Sequence, residues 1–245
     1  LPAELVDQAR ASVERAGARR RLSGEHTVVA LAGPTGSGKS SLFNVVTRLD
    51  LARVGVRRPT TSEPLACMWG AWGASPLLDR LGIPQGNQVP KESVLDSGEA
   101  EGLDGLILLD LPDHDSTHEA HRVQVDHLVD TVDLLVWVVD PQKYADAALH
   151  DHYLKNMAGH AAVTVVVLNQ IDQLTEQDTK ACVDDLERLL AKDGLRKVPI
   201  LPVSAATGEG VDQLVELLRT TVGQKRAADD RVAADLNAAA GALRD

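Results

Sequence analysis

Six short apolar runs recur along the chain, and each has the length of a β-strand. Most are rich in Val, Ile and Leu, and the run Leu134–Val139 carries no charged residue, as expected of a strand buried on both faces of a parallel sheet. Between the runs, apolar residues return at helical spacing, for example at Leu186, Leu189 and Leu190. The pattern predicts strands over residues 26–32, 65–69, 103–111, 133–140, 161–168 and 198–203.

Because the predicted strands alternate with helices, we expect an α/β protein of three layers, a mostly parallel six-stranded sheet with helices on both faces. This domain is assigned to residues 24–223. An amphipathic helix is predicted over residues 1–23, and residues 224–245 are predicted to form a C-terminal helix or to begin a further region. Residues 70–101, rich in Gly, Pro and Ser, are predicted to form a long loop with a short helix at 76–81. That loop is either a site of specific contacts or a plain surface loop.

The charge and composition of the chain argue against some classes of function. The 245 residues carry a formal net charge of −11, which argues against sequence-independent binding of nucleic acid. Cys67 and Cys182 form no C-x-x-C pair, and the sequence shows neither a signal peptide nor an apolar run of membrane-spanning length. These features favour a cytoplasmic protein. Because the chain begins at Leu1, it is interpreted as part of a longer protein, and a membrane segment outside it stays an open alternative.

Residues 33–40 have the pattern G-x-x-x-x-G-K-S of a phosphate-binding P-loop. Glycines let backbone N–H groups converge on phosphate oxygens, and the predicted strand and helix on either side aim a helix N-terminus at the same point. Lys39 is predicted to place a positive charge on the β- and γ-phosphates of a nucleoside triphosphate, and Ser40 to ligate Mg²⁺. The predicted phosphate-binding residues are Gly33, Thr35, Gly36, Ser37, Gly38, Lys39, Ser40 and Ser41.

Further short motifs follow at the ends of predicted strands. They are Pro59-Thr60-Thr61, Asp110-Leu-Pro-Asp113, Asn169-Gln-Ile-Asp172 and Ser204-Ala-Ala206. Together with the wording Gly-Lys-Ser-Ser-Leu-Phe-Asn of residues 38–44, they make residues 26–223 resemble the translation-factor-related P-loop GTPases. Within that class the resemblance is to the Era-like and dynamin-related group, and to bacterial members in particular. It implies a G domain that binds GTP or GDP together with Mg²⁺.

The last two motifs concern the choice of base. The Asp172 carboxylate can accept hydrogen bonds from the N1–H and the exocyclic amine of guanine, groups that adenine does not offer, so Asp172 argues against an ATPase. The resemblance implies that Asn169 joins this loop to the P-loop and that Gln170 replaces a lysine whose stem lies along the base. It also implies that a backbone N–H of the segment Ser204, Ala205 and Ala206 meets the guanine O6.

The motifs at residues 59–61 and 110–113 concern the γ-phosphate. The resemblance implies that Thr61, with Thr60 as the alternative, ligates Mg²⁺ from a loop that orders with that phosphate. It assigns Asp110 to Mg²⁺ through a water molecule. Asp113 stands where the family pattern has glycine, which predicts an altered movement of the second switch. His114 either orients the attacking water or is an ordinary surface histidine. The predicted catalytic residues are Lys39, Thr61 and His114, and the predicted metal ligands are Ser40, Thr61 and Asp110.

These predictions describe a GTP-binding switch that hydrolyses GTP slowly, because the sequence shows no catalytic glutamine. The alternative from another class is a nucleotide-binding scaffold with little or no hydrolysis. The partners that the resemblance allows are a protein effector of unknown identity and a second copy in a nucleotide-dependent dimer. It also allows a tether to the inner face of the plasma membrane through regions outside the chain.

Overall fold

The computed structural model describes residues 26–52, 63–70, 73–91, 101–112, 132–146 and 161–242, with side chains up to residue 232. The strands are β1 (Thr27–Ala32), β2 (Leu65–Trp69), β3 (Gln88–Lys91), β4 (Leu106–Asp110), β5 (Leu134–Val139), β6 (Thr164–Leu168) and β7 (Ile200–Pro202). The helices are α1 (Lys39–Thr47), α2 (Ser75–Arg80), α3 (Glu176–Lys192) and α4 (Val211–Ala242), with short 3₁₀ turns at Gln85–Asn87 and Ile171–Gln173.

The described strands form one sheet in the order β3-β2-β4-β1-β5-β6-β7. Strands β4, β1, β5, β6 and β7 are parallel, whereas β2 runs antiparallel to β4 and pairs in parallel with β3. The carboxyl ends of β1, β4, β5 and β6 therefore lie at the same edge. In an open α/β sheet, this is the edge at which ligands bind.

The predicted three-layer α/β fold is confirmed, but the sheet has seven strands where six were predicted. The additional strand, β3, lies within residues 70–101, and α2 connects it to β2. Its sequence, Gln-Val-Pro-Lys, contains one branched aliphatic residue and is half-exposed at the sheet edge, so it carries no apolar run. Pro90 fits an edge position because it has no N–H to donate. Part of the predicted loop is thus regular structure.

The core has one cluster on each face of the sheet. One contains Ala30 and Trp137 of the strands together with Leu186 of α3, and the other contains Leu31 with Phe43 of α1 and Leu214 of α4. Successive residues of β1 alternate between the two clusters, because side chains along a strand point to opposite faces. This double burial explains why the strands have uninterrupted apolar sequences.

Helix α4 is continuous from Val211 to Ala242, so residues 224–242 prolong the last core helix. Basic side chains of α4 attach the helix to neighbouring segments. Arg219 donates to the Glu101 carbonyl at 3.0 Å, and Lys225 pairs with Asp133 at 2.7 Å. None of the helices that the structure describes combines the length and the hydrophobicity needed to span a bilayer.

Some predicted elements fall outside the described residues. These are the N-terminal helix, the helix expected after Asp113, and residues 147–157 of the helix expected from Tyr144. Residues 141–145 form turns instead of the start of that helix. Asp140 stabilises these turns, since its carboxylate accepts hydrogen bonds from the backbone N–H groups of Gln142 at 2.9 Å and Lys143 at 3.1 Å.

Candidate nucleotide-binding site

The P-loop connects the end of β1 to the start of α1, as its glycines require. A Cβ on Gly33 would lie 2.1 Å from the Val138 carbonyl oxygen, so only glycine lets the loop cross the end of β5 this closely. Gly38 caps α1 at φ 86°, and a Cβ there would lie 2.3 Å from Nδ2 of Asn169. The loop therefore wraps over the N-terminus of α1, where unpaired backbone N–H groups favour anions.

Lys39 lies inside this loop. Its side chain is 4% exposed, and Nζ donates to the carbonyl oxygens of Gly33 at 2.9 Å and Pro34 at 3.1 Å. Ser37 is fully buried below the loop, and its hydroxyl has no hydrogen-bond partner among the described residues. The remaining predicted phosphate-binding residues stand at the surface of the cradle: Gly36 is exposed, and Thr35 and Ser41 are half-buried.

Ser40 and Asp110 are brought together from the first turn of α1 and the end of β4. The Ser40 hydroxyl donates to Oδ2 of Asp110 at 2.7 Å, and Asp110 is completely buried. A hydroxyl and a carboxylate are oxygen ligands of the kind that Mg²⁺ takes, usually with phosphate oxygens and water completing its shell. The pair therefore fits the metal position predicted from the sequence. Elsewhere within the described ranges, no cluster of three or more His, Cys, Asp or Glu side chains is arranged to hold a metal ion.

Asn169 links the loop after β6 to two other segments. It is 1% exposed, its Nδ2 donates to the Ser37 carbonyl at 2.9 Å, and its Oδ1 accepts from the backbone N–H of Ala205 at 3.0 Å. The neighbouring Gln170 adopts a left-handed backbone at φ 66° and donates from Nε2 to the Gly36 carbonyl at 2.8 Å. Both residues thus contact the P-loop.

Asp172 lies in the 3₁₀ turn Ile171–Gln173, on the exposed side of this loop. The Ser204 hydroxyl donates to Oδ1 of Asp172 at 2.6 Å, and Ser204 itself is fully buried. The hydroxyl also accepts from the Thr207 N–H at 3.1 Å, which fixes the turn containing Ala205 and the exposed Ala206. The carboxylate is thereby oriented at the surface, where it can accept hydrogen bonds from a base.

The structure adds Lys143, which the sequence analysis did not single out. It follows β5, and its ammonium group donates to the carbonyl of Thr35. The next residue, Tyr144, donates from its hydroxyl to Asp185 of α3 at 3.1 Å, and burial, reinforced by this hydrogen bond, raises the pKa of Tyr144 to about 12. No short motif surrounds Lys143, so only the topology of the sheet reveals its position.

The structure thus brings together the P-loop residues, Asp110, Asn169, Gln170, Asp172 and the segment 204–206. The predicted γ-phosphate and catalytic residues Thr60, Thr61, Asp113 and His114 lie outside the described residues, and their roles stay predictions.

Comparison with known sequences gives matches to parts of the chain. The family model of the elongation factor Tu GTP-binding domain matches residues 105–224, a range that contains Asp110, Asn169, Asp172 and Ser204. The GTPase Era of Geobacter metallireducens is 32% identical over 124 residues, which are 49% of this chain and 39% of the relative. The chain therefore spans about two fifths of the length of this curated relative.

Two solved structures show the same fold. A chain of an oligomerised bacterial dynamin pair has a TM-score of 0.60 at 14% identity, over 95% of this chain and 42% of that one. A variant of Era from Aquifex aeolicus, bound to GDP and AlF4⁻, has a TM-score of 0.57 at 17% identity, over 79% of this chain and 56% of that one.

Proposed function

We propose that the chain is a P-loop GTPase of the translation-factor-related class, as its matches to the elongation factor Tu GTP-binding domain and to Era indicate, and that it acts as a regulatory switch that hydrolyses GTP slowly with Mg²⁺. The observation that carries the proposal is the pairing of Asp172 with Ser204 at 2.6 Å, beside a P-loop to which Asn169 is hydrogen-bonded. In this proposal the P-loop and the Asp172 carboxylate are the phosphate-binding and guanine-selecting parts of one site.

Base selection in this proposal depends on what Asp172 accepts. The Ser204 hydroxyl occupies one lone pair of Oδ1, and the carboxylate keeps further acceptor positions for the guanine N1–H and amine. A base with an acceptor where guanine has its N1–H would place that acceptor against the carboxylate oxygens, with no hydrogen atom between the two. ATP is therefore disfavoured.

Phosphate binding is assigned to the N-terminus of α1 and to Lys39. The buried Lys39 ammonium and the backbone N–H groups of the loop supply positive potential, which stabilises charge as it develops on the phosphate oxygens. Ser40 and Asp110 would hold Mg²⁺, with Thr61 as a further ligand. When bound, the ion neutralises charge on the β- and γ-phosphates.

Slow hydrolysis, the third part of the proposal, follows from the residues near the γ-phosphate. No catalytic glutamine is evident in the sequence, and His114 is proposed as the group that orients the attacking water. We further propose a cytoplasmic protein of bacterial origin whose nucleotide state is read by a protein effector, with a nucleotide-dependent dimer as one form of that readout. A membrane tether would come from regions outside this chain.

The test is nucleotide binding and single-turnover hydrolysis by the purified chain with Mg²⁺. We expect GTP and GDP to bind at least about 100-fold more tightly than ATP, and phosphate release at a rate of order 10⁻³ s⁻¹ without a partner. Lys39→Ala should abolish GTP binding, whereas the exposed Lys192→Met should leave it unchanged. Equal affinity for ATP would contradict the guanine assignment. Binding without phosphate release over hours would favour the scaffold alternative.

A further inference from the structure

Two ammonium groups border the same turn of the P-loop. Lys39 binds the carbonyl oxygens of Gly33 and Pro34, and Lys143 binds the next one along the chain, that of Thr35. The Lys143 ammonium also lies 3.5 Å from the point where a Cβ on Gly36 would stand. Residue 36 is an exposed glycine, so it places no side chain of its own next to this ammonium group.

The fold fixes the position of Lys143 from both sides. Asp140, 4% exposed at the end of β5, accepts the backbone N–H groups of Gln142 and Lys143. On the other side, the Tyr144 hydroxyl is hydrogen-bonded to Asp185 of α3. The turn that carries Lys143 is therefore fixed by contacts that do not involve the Lys143 side chain.

The charge of Lys143 points to an anionic ligand. Its ammonium group binds a neutral carbonyl, and among the described residues no carboxylate lies within ion-pair distance of it. A second cation on the loop that Lys39 binds raises the positive potential there, which costs free energy unless an anion is nearby. A lysine that only braced the loop would need a hydrogen-bond donor but no charge.

We propose that Lys143 is a second phosphate-binding cation of the nucleotide site, placed at the P-loop by the turn after β5. The inference rests on the proposed function, because the anion it requires is the phosphate chain of a guanine nucleotide. It assigns a role in binding the phosphates to a residue outside the five motifs.

The experiment compares Lys143→Gln, which keeps a donor for Thr35 without the charge, with Lys143→Arg, which keeps the charge. Dissociation constants for GTP and GDP are measured on the whole chain at low and high KCl, with Lys192→Gln as the matched control. We expect Lys143→Gln to weaken GTP binding about tenfold, with a smaller dependence on KCl than the wild type. Lys143→Arg should stay within about threefold of the wild type.

Two results would overturn the inference while the proposed function stands. One is wild-type GTP affinity in Lys143→Gln, which would show that a neutral brace suffices. The other is an equal loss in Lys143→Gln and Lys143→Arg, which would show that the charge is irrelevant. Failure of the wild-type chain to bind GTP in the same assay would instead refute the proposed function, and the role of Lys143 with it.

Discussion

The side-chain amide of Asn169 donates to the carbonyl oxygen of Ser37 at 2.9 Å, although the two residues are 132 positions apart in the chain. The same side chain accepts from the Ala205 N–H at 3.0 Å. One buried amide therefore joins the P-loop, the loop after β6 and the loop after β7. The P-loop and the loops proposed to bind the base are thus built as one hydrogen-bonded unit.

The first prediction is that Asn169→Ala destabilises both the fold and nucleotide binding. It leaves the Ala205 N–H and the Ser37 carbonyl without their partner, so we expect unfolding to become easier by about 2–4 kcal/mol. Urea denaturation and GTP titration measure the two effects. Asn87→Ala, at a half-buried asparagine in the edge region, is the control and should cost less than about 1 kcal/mol. A similar small cost at Asn169, with unchanged GTP affinity, would contradict the role assigned to it.

A second prediction concerns base selection by Asp172. In Asp172→Asn, the Ser204 hydroxyl can still donate to the amide oxygen, but the amide nitrogen now presents a donor to the donors of guanine. We expect GTP affinity to fall about 100-fold or more and affinity for xanthosine triphosphate, whose base has an acceptor at C2, to rise. Competition binding with both nucleotides checks this. The exposed Asp184→Asn should change neither affinity, and unaltered GTP binding by Asp172→Asn would remove Asp172 from the base site.

Strands and loops whose own residues have a distinctive pattern could be predicted from the sequence. The apolar run of β5 is buried on both faces, so its sequence alone predicted it, and the P-loop glycines mark dihedral angles and close contacts that other residues cannot adopt. Edge strand β3 was missed because it is half-exposed and carries no apolar run.

Lys143 was missed for a different reason. Its contact with Thr35 joins positions 108 residues apart and depends on β1 and β5 being neighbours in the sheet. Strand order is a property of the whole fold, and no local pattern around Lys143 encodes it. The Ser40–Asp110 contact, 70 residues apart, was anticipated only because both residues belong to motifs with assigned roles.

The third prediction separates the two cysteines by reactivity. Cys67 is fully buried in β2, whereas Cys182 is half-buried on α3. Burial raises the pKa of the Cys67 thiol to about 12, so at pH 8 it stays protonated and unreactive. Titration of the folded chain with a thiol reagent at pH 8 should therefore label Cys182 first, and Cys67 only on unfolding. The variant Cys182→Ser, in which Cys67 is the remaining thiol, is the control. Rapid labelling of both thiols in the folded wild type, and of Cys67 in folded Cys182→Ser, would contradict the burial of Cys67.

The same thiol makes stability depend on pH in alkaline solution. The folded pKa of about 12 lies above the ordinary value of 9.0, so the folded chain holds the proton more tightly than the unfolded chain. This contribution to stability is complete below pH 9 and is lost as the pH rises towards 12, with a slope of at most about 1.4 kcal/mol per pH unit. Between pH 9 and 10.5 the wild type should lose stability faster than Cys67→Ala in urea denaturation. Parallel curves for the two proteins would rule out the thiol as the cause.

The last prediction concerns the attachment of α4 at the edge of the sheet opposite the nucleotide site. Lys225 pairs with Oδ2 of Asp133 at 2.7 Å, with side chains 19% and 16% exposed, and that oxygen also accepts from the Val28 N–H at 2.9 Å. Lys225→Met should destabilise the fold by about 2 kcal/mol, because the partly buried carboxylate loses its cation but keeps the Val28 hydrogen bond. The double variant with Asp133→Asn should lose less than the sum of the two single changes, since each removes the same ion pair. GTP affinity should stay at the wild-type value, because Lys225 lies at the amino end of β1 and the P-loop at its carboxyl end. Additive losses in the urea series would show that the two side chains act independently.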